Sequence, residues 1–298
     1  MLPACRTAGE GVSLPPFDLV PSDVEGFMEE LWEFQSTCHD CCARSEPRTH
    51  FFDSMVGQGS KLERTSIEPI ALGVEGGTIR GMQRFLSDVR WDEEQMRGNY
   101  HQLVADTLGA PDGVLIFDET GFAKKGSHSV GVARQYCGSL GPVEHGQVGV
   151  FAAYASRQGY ARVDKRLCLP ADWFNDTQAA RRAACQVPKA LTFHTKPPLA
   201  AAMLQAMAHE GLLPCKYLGA DCLYGNSPDF LDAIDACVSV TAFVAIPSET
   251  RCWCQRPQTA EHPYRYKGEA RAKCVVVDTV PDACTVAAVA AHRPASRW

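Results

Sequence analysis

The pattern of apolar and polar positions divides this chain in two, and the period changes at residue 114. Residues 16–106 read as helical. In PSDVEGFMEELWEFQ, Phe27, Leu31 and Phe34 recur three and four apart, and Ser22 and Asp23 are placed to cap the start. SIEPIALGVEGGTIRGMQRFLSDVRWDEEQMRGNYHQLVADTLG predicts at least two more helices, with a break at Gly76-Gly77 and the last helix opening at Trp91-Asp92. A short helix, a glycine turn and a helix bearing Arg80, Gln83 and Arg84 outline both a helix-turn-helix and an ordinary helical bundle. Pattern alone does not separate the two.

From Val114 the signal is that of strands. VLIFD is a short continuous apolar run, as expected of a strand covered on both faces. VGVARQYCGSL, QVGVFAAYASRQGYARVDKRLCLP, KYLGAD and VTAFVAIP also predict strands, with turns at Gly138–Pro142 and Gln158-Gly159. Two helices intervene. PPLAAAMLQAMAHEGLL is alanine-rich with Gly211 near its end, and SPDFLDAIDACVS offers Ser227 as cap and Pro228 at its first position. The predicted order is three strands, helix, strand, helix, strand, which makes a mixed sheet with helices layered on it. Beyond residue 248 the pattern turns polar and turn-rich, with a strand expected at CVVVDTV and no packed final element in AAVAAHRPASRW. Three regions follow: helical 1–110, an α/β core 111–247, and a polar tail 248–298.

At 298 residues, 45% apolar and 21% charged, the composition is that of an ordinary globular protein. No apolar run reaches the roughly 18–20 residues that cross a bilayer. The first twenty residues lack the basic start and apolar core of a signal peptide, so the expected location is cytoplasmic with no membrane partner. Fourteen scattered cysteines then read as free thiols rather than disulfides. Cys38 and Cys41 form a C-x2-C and Cys252 and Cys254 a C-x-C, but neither has a second pair at zinc-finger spacing, and buried thiols are the favoured reading. A net charge of −6 argues against a protein that simply coats nucleic acid. It hides an asymmetry: residues 1–113 hold 9 Lys/Arg against 19 Asp/Glu, and residues 114–298 hold 20 against 16.

Two predicted strands end in aspartate, VLIFD at Asp118 and KYLGAD at Asp221. As parallel neighbours they would bring both carboxylates to one sheet edge, where hard oxygen ligands suit a divalent cation. With a further acid they would hold two ions about 3.5–4 Å apart, the arrangement that clamps the attacking and leaving oxygens of a phosphodiester. Lys124 and Lys125, read as part of the adjoining loop, would then face phosphates. The plainer alternative is that each aspartate only caps or turns its strand end. Glu119 would point away from Asp118 on a strand and reads as a bystander, and no third acid stands out. A small-substrate phosphohydrolase ranks lowest, because DETGF lacks the second aspartate of a D-x-D nucleophile motif.

IFDETGFAKKGSHSVGVARQYCGSLG, QVGVFAAYASRQGYARVDKRLCLPADWF and GADCLYGNSPDF together resemble the bacterial insertion-sequence transposases with a DDE superfamily endonuclease domain, over roughly residue 20 to the end. The resemblance implies an RNase H-like mixed sheet with flanking helices, a helical N-terminal region for DNA ends, and a β-rich insertion after the fifth strand. It implies cleavage and strand transfer at element ends with Mg²⁺ (or Mn²⁺) held by an Asp, Asp, Glu triad. Asp118 in IFDET matches the first acid and Asp221 in GADCLYG the second. No residue here matches the third, which lies on a helix beyond the insertion. The expectation is therefore a truncated transposase with an incomplete insertion, catalytically crippled as a lone chain. The alternative is a non-catalytic DNA-binding or regulatory fragment that pairs with full-length transposase. DNA is the expected partner, with homo-oligomers and nucleoid association following from the family. Arg181, Arg182 and Lys196 are weaker candidates for phosphate contacts.

Overall fold

A computed structural model describes residues 20–137, 141–237, 240–255, 257–266, 269–277 and 282–292. The chain divides into two compact units, residues 1–99 and 100–298.

The first unit is helical: α1 (Pro21–Thr37), α2 (Ser45–Gly59), α3 (Ile67–Gly73), α4 (Ile79–Ser87) and the start of α5 (Glu93–Leu108). Of the two expected caps of α1, Asp23 serves, accepting the Val20 N–H at 2.9 Å. Thr78 caps α4 by accepting the Gly81 N–H at 3.1 Å. Between α3 and α4 the backbone turns at Gly76, whose φ of 73° suits glycine best. Ile70, Ala71 and Met82 are buried together between these helices, under Leu62, Ile67 and Ile79. At Gly57 of α2 a Cβ would come within 2.5 Å of the Ile70 side chain, so that close approach requires glycine. Cys38, Cys41 and Cys42 are buried thiols, and burial pushes Cys41 up to about 11.

The second unit is built on a six-stranded mixed sheet. Its strands are β1 (Val114–Ala123), β2 (Ala133–Cys137), β3 (Gly141–Ala155), β4 (Tyr160–Cys168), β5 (Tyr217–Ala220) and β6 (Thr241–Val244). The order is β2-β3-β1-β5-β6, with β4 also paired to β3. β1 pairs antiparallel with β3 and parallel with β5, and β6 runs parallel to β5. An antiparallel run followed by parallel strands on the other side of β1 is the RNase H-like α/β arrangement that the family resemblance implies. The turn at Gln158-Gly159 separates β3 from β4, so four strands rather than three precede the first long helix of the unit.

Helices α6 (Ala179–Ala184), α7 (Lys196–Glu210), α8 (Cys222–Gly225) and α9 (Pro228–Asp235) complete the core. α7 closes at Gly211 in the left-handed conformation, φ 66°. Leu115, Phe117, Val150, Ala152, Tyr154 and Leu218 form one core with Ala200, Met203 and Leu204 of α7 and Phe230 of α9. Its polar members are satisfied: the Tyr154 hydroxyl donates to Pro214 O at 2.8 Å and accepts the Ala110 N–H at 2.9 Å. The ring of His101, fully buried, reaches Val163 O at 2.7 Å and Glu210 Oε2 at 2.6 Å.

Two expectations about β1 are corrected here. The strand does not stop at Asp118; β3 pairs with it from Val114↔Ala155 to Ala123↔Gly146 and carries it five residues further. Nor is it covered on both faces. Leu115 and Phe117 are buried, but Ile116, on the other face, is 40% exposed.

The tail is more ordered than its polar composition suggests. β8 (Thr259–Tyr266) and β9 (Glu269–Val276) form an antiparallel hairpin, and β7 (Arg251–Cys252) pairs with β10 (Cys284–Thr285). A short helix, α10 (Val286–Ala291), follows, with Thr285 accepting the Ala288 N–H at 3.2 Å and none of its residues buried.

Candidate functional site

The parallel register of β1 and β5 ends at Phe117↔Ala220. Asp118 follows Phe117 on β1, and Asp221 follows Ala220 just past the end of β5, so both acids lie at the same end of the paired strands. Phe117 and Asp118 point to opposite faces by strand alternation. Phe117 is in the core and Asp118 is exposed on the open face. Asp221 keeps an extended backbone, φ −79° and ψ −176°, and caps α8 by accepting the Leu223 N–H at 2.9 Å. Asp118 Oδ1 accepts the Glu119 N–H at 2.8 Å. Burial lifts the Asp118 carboxyl above its ordinary value. The Glu119 amide opposes that shift, the charges of Glu119 and Asp221 add to it, and Lys196 pulls the other way.

Glu119, read from sequence as a bystander, is held on the covered face. Its Oε1 accepts from Lys196 Nζ at 2.7 Å and its Oε2 from the Tyr224 hydroxyl at 2.9 Å. Tyr224 is fully buried, and burial together with the Glu119 carboxylate pushes its hydroxyl far up, so it remains a donor. Sequence reading missed this group because Glu119 and Lys196 lie 77 residues apart, and only the fold brings them together.

The other candidate residues fall elsewhere. Lys124 and Lys125 follow the end of β1, six and seven residues past Asp118, or about 20 Å along an extended chain. They therefore do not flank the carboxylates as the shorter predicted strand implied. Lys196 is ion-paired with Glu119, both side chains being more than four-fifths buried. Arg181 donates to Ser127 O and stacks over the Trp173 ring, with its guanidinium carbon 4.1 Å from the centroid. Arg182 donates to Trp173 O, and to Asn175 O at 2.9 Å. Trp173 Nε1 in turn donates to Val132 O at 3.1 Å, so the α6 region braces the loop after β1. The basic residues that share the face of Asp118 are others. Lys165 lies in register with Phe151, itself in register with Asp118, and Arg162 places its guanidinium 5.6 Å from the Phe151 ring.

Asp118 and Asp221 fit part of the ligand set of a hard divalent cation. Both are carboxylates, each spends one oxygen on a backbone N–H, and the Asp118 carboxyl responds to the Asp221 charge. Among the described residues no group of three or more His, Cys, Asp or Glu side chains is gathered tightly enough to hold a metal.

The fold is thus a mixed sheet with two exposed acids at the end where the parallel pairing of β1 and β5 leaves off. The chain matches the DDE superfamily endonuclease family over residues 38–298, and it belongs to that family. It is 29% identical over 208 residues to a probable transposase for insertion sequence element IS701 from Microchaete diplosiphon, covering 65% of this chain and 47% of that protein. The chain thus spans about half the length of this relative. Among solved structures it is similar to a piggyBac transposase in a synaptic complex with hairpin DNA, at 12% identity and a TM-score of 0.31, over 89% of this chain and 54% of the other. No helix among the described residues is long and apolar enough to cross a membrane.

Proposed function

We propose that this chain is the catalytic portion of an insertion-sequence transposase, in which Asp118 and Asp221 hold Mg²⁺ or Mn²⁺ for cleavage and transfer of DNA strands. The observation that supports this reading most is the β1–β5 register, which ends one residue before each acid, with both residues exposed. Family membership and the transposase relative support DNA as substrate. A bound divalent ion supplies activation of the attacking water or 3′-hydroxyl and offsets charge on the leaving oxygen. The chain's own part is to orient two carboxylates and to receive the strand. Asp118 and Asp221 each have one oxygen fixed by a backbone N–H. Arg162 and Lys165, on the same face, are placed to meet phosphate oxygens.

The test is Mn²⁺-dependent nicking of duplex DNA that carries the element's terminal sequence. Nicking by the native chain, expected to be weak with two acids at the site and no third matched to it among the described residues, should vanish in Asp118→Asn and in Asp221→Asn. Nicking that survives either substitution would sink the assignment. Salt-dependent binding of the same duplex without nicking would favour the regulatory reading instead.

A further inference from the structure

We infer that Glu119, Tyr224 and Lys196 form a clamp on the covered face of the sheet that sets the spacing of Asp118 and Asp221 for a divalent cation on the open face. The inference rests on the reading of those two aspartates as ligands. It starts from a mechanical gap: the backbone ladder between β1 and β5 stops at Phe117↔Ala220, one residue short of both acids. Past that point the two segments diverge, since β1 continues along β3 while the chain after Asp221 turns into α8. Two negative charges side by side would also push them apart. Something other than the ladder has to hold the pair.

The clamp closes that gap from behind. Glu119, next to Asp118, points to the covered face and accepts from Tyr224, three residues after Asp221, at 2.9 Å. The Glu119 N–H donates to Asp118 Oδ1 and the Leu223 N–H to Asp221 Oδ1, so three hydrogen bonds and the intervening covalent chain link both ligands in one circuit. Lys196, in the first turn of α7, occupies the remaining Glu119 oxygen at 2.7 Å and ties the circuit to the helix that covers the core. α8 is itself pinned. At Gly225 a Cβ would come within 2.2 Å of Ala245 O, and the Ala245 N–H donates to Ala220 O at 3.0 Å. Tyr224 therefore reaches Glu119 from a fixed base. Both Glu119 oxygens are used and its side chain is 16% exposed, which gives it a positioning role rather than a place at the metal.

Mn²⁺ titration of the full chain, followed by electron paramagnetic resonance beside a thermal melt of each variant, separates positioning from mere stability. Tyr224→Phe keeps the buried ring and removes only the hydroxyl. It is expected to remain folded and to bind Mn²⁺ roughly 10- to 100-fold more weakly, the usual consequence of losing a residue that orients a ligand. Asp118→Asn is expected to abolish binding. Tyr224→Phe that binds as tightly as the native chain, while Asp118→Asn does not, would overturn the clamp and leave the ligand assignment standing. Equal binding by Asp118→Asn, or none by the native chain, would overturn the ligand assignment and the clamp with it. Should Tyr224→Phe fail to fold, Glu119→Leu combined with Lys196→Met decides the matter: it removes both acceptor oxygens and the charge that would be left unpaired, so undiminished affinity refutes the clamp.

Discussion

Asp118 and Glu119 are adjacent, chemically alike and on one strand, yet alternation sends them to opposite faces of the sheet, where they meet opposite environments. On the covered face Glu119 finds an ammonium and a phenol, and both its oxygens are matched. On the open face Asp118 finds its own neighbour's amide and, beside it, a second acid. A carboxylate whose partners are supplied is part of the architecture. One left beside another carboxylate is electrostatically unfavourable unless something positive arrives, which is the signature of a site. The same contrast holds for the apolar residues before them. Phe117 is sealed under Phe230, their ring centroids 5.4 Å apart, while Ile116 is 40% exposed.

The largest expected effect lies on the open face. Asp118→Asn and Asp221→Asn should each reduce Mn²⁺-dependent nicking to background and leave the circular dichroism spectrum unchanged. A variant that loses activity by unfolding would blur the comparison, and a thermal melt detects that. The covered face should respond the other way round. Phe117→Ala is expected to cost about 3–5 kcal/mol of stability, because it removes an aromatic ring from a packed core. Ile116→Ala, one residue earlier, should cost less than half of that in the same urea titration. Equal losses at the two positions would show that the open face is covered in solution.

Glu119→Ala comes next. Breaking a buried ion pair typically costs about 3–5 kcal/mol, and partial exposure of both partners brings the expectation here to about 2 kcal/mol. Lys196 would be left without its carboxylate and the Tyr224 hydroxyl without its acceptor. Lys196→Met should recover part of the loss when combined with Glu119→Ala, since the double variant removes the uncompensated charge. Strict additivity of the two losses would mean that the pair contributes nothing as a pair.

Much of this contrast was legible in the sequence, and the limits of legibility are physical. The parallel pairing of VLIFD with KYLGAD, posed as a condition, is met by β1 and β5. The mixed sheet follows from local apolar runs and the helices between them, although these predict one strand too few before α7. The length of β1 does not, because ETGFA is neither apolar nor alternating; β3 extends that strand through long-range hydrogen bonds. That error brought Lys124 and Lys125 too close to the acids. The clamp was invisible for a related reason, since its three residues come from three elements. Of the β8–β9 hairpin only the end of β9 is predicted, at CVVVDTV; the rest escaped notice because most of its described residues are exposed and give no apolar face.

The smallest expected effect sharpens the comparison most, because its sign differs between the two acids. Burial, then the nearby charges of Glu119 and Asp221, raise the Asp118 carboxyl above its ordinary value of 3.8. A carboxyl raised on folding is one whose ionised form the folded state penalises. That penalty is absent below the ordinary value and complete above the folded one. Removing the charge should therefore stabilise the protein near neutral pH. With divalent ions chelated, Asp118→Asn is expected to melt slightly higher than the native chain, by about 1 kcal/mol or less, because an exposed group is screened by solvent. The advantage should shrink as the pH falls through the raised native value and be gone below the ordinary one, once the native aspartate holds its proton. Glu119→Gln should instead melt lower near neutral pH, since it gives up a matched ion pair. If Asp118→Asn also melts lower there, then Asp118 has a stabilising partner in the folded chain, and the distinction between the two faces fails at the residue that defines it.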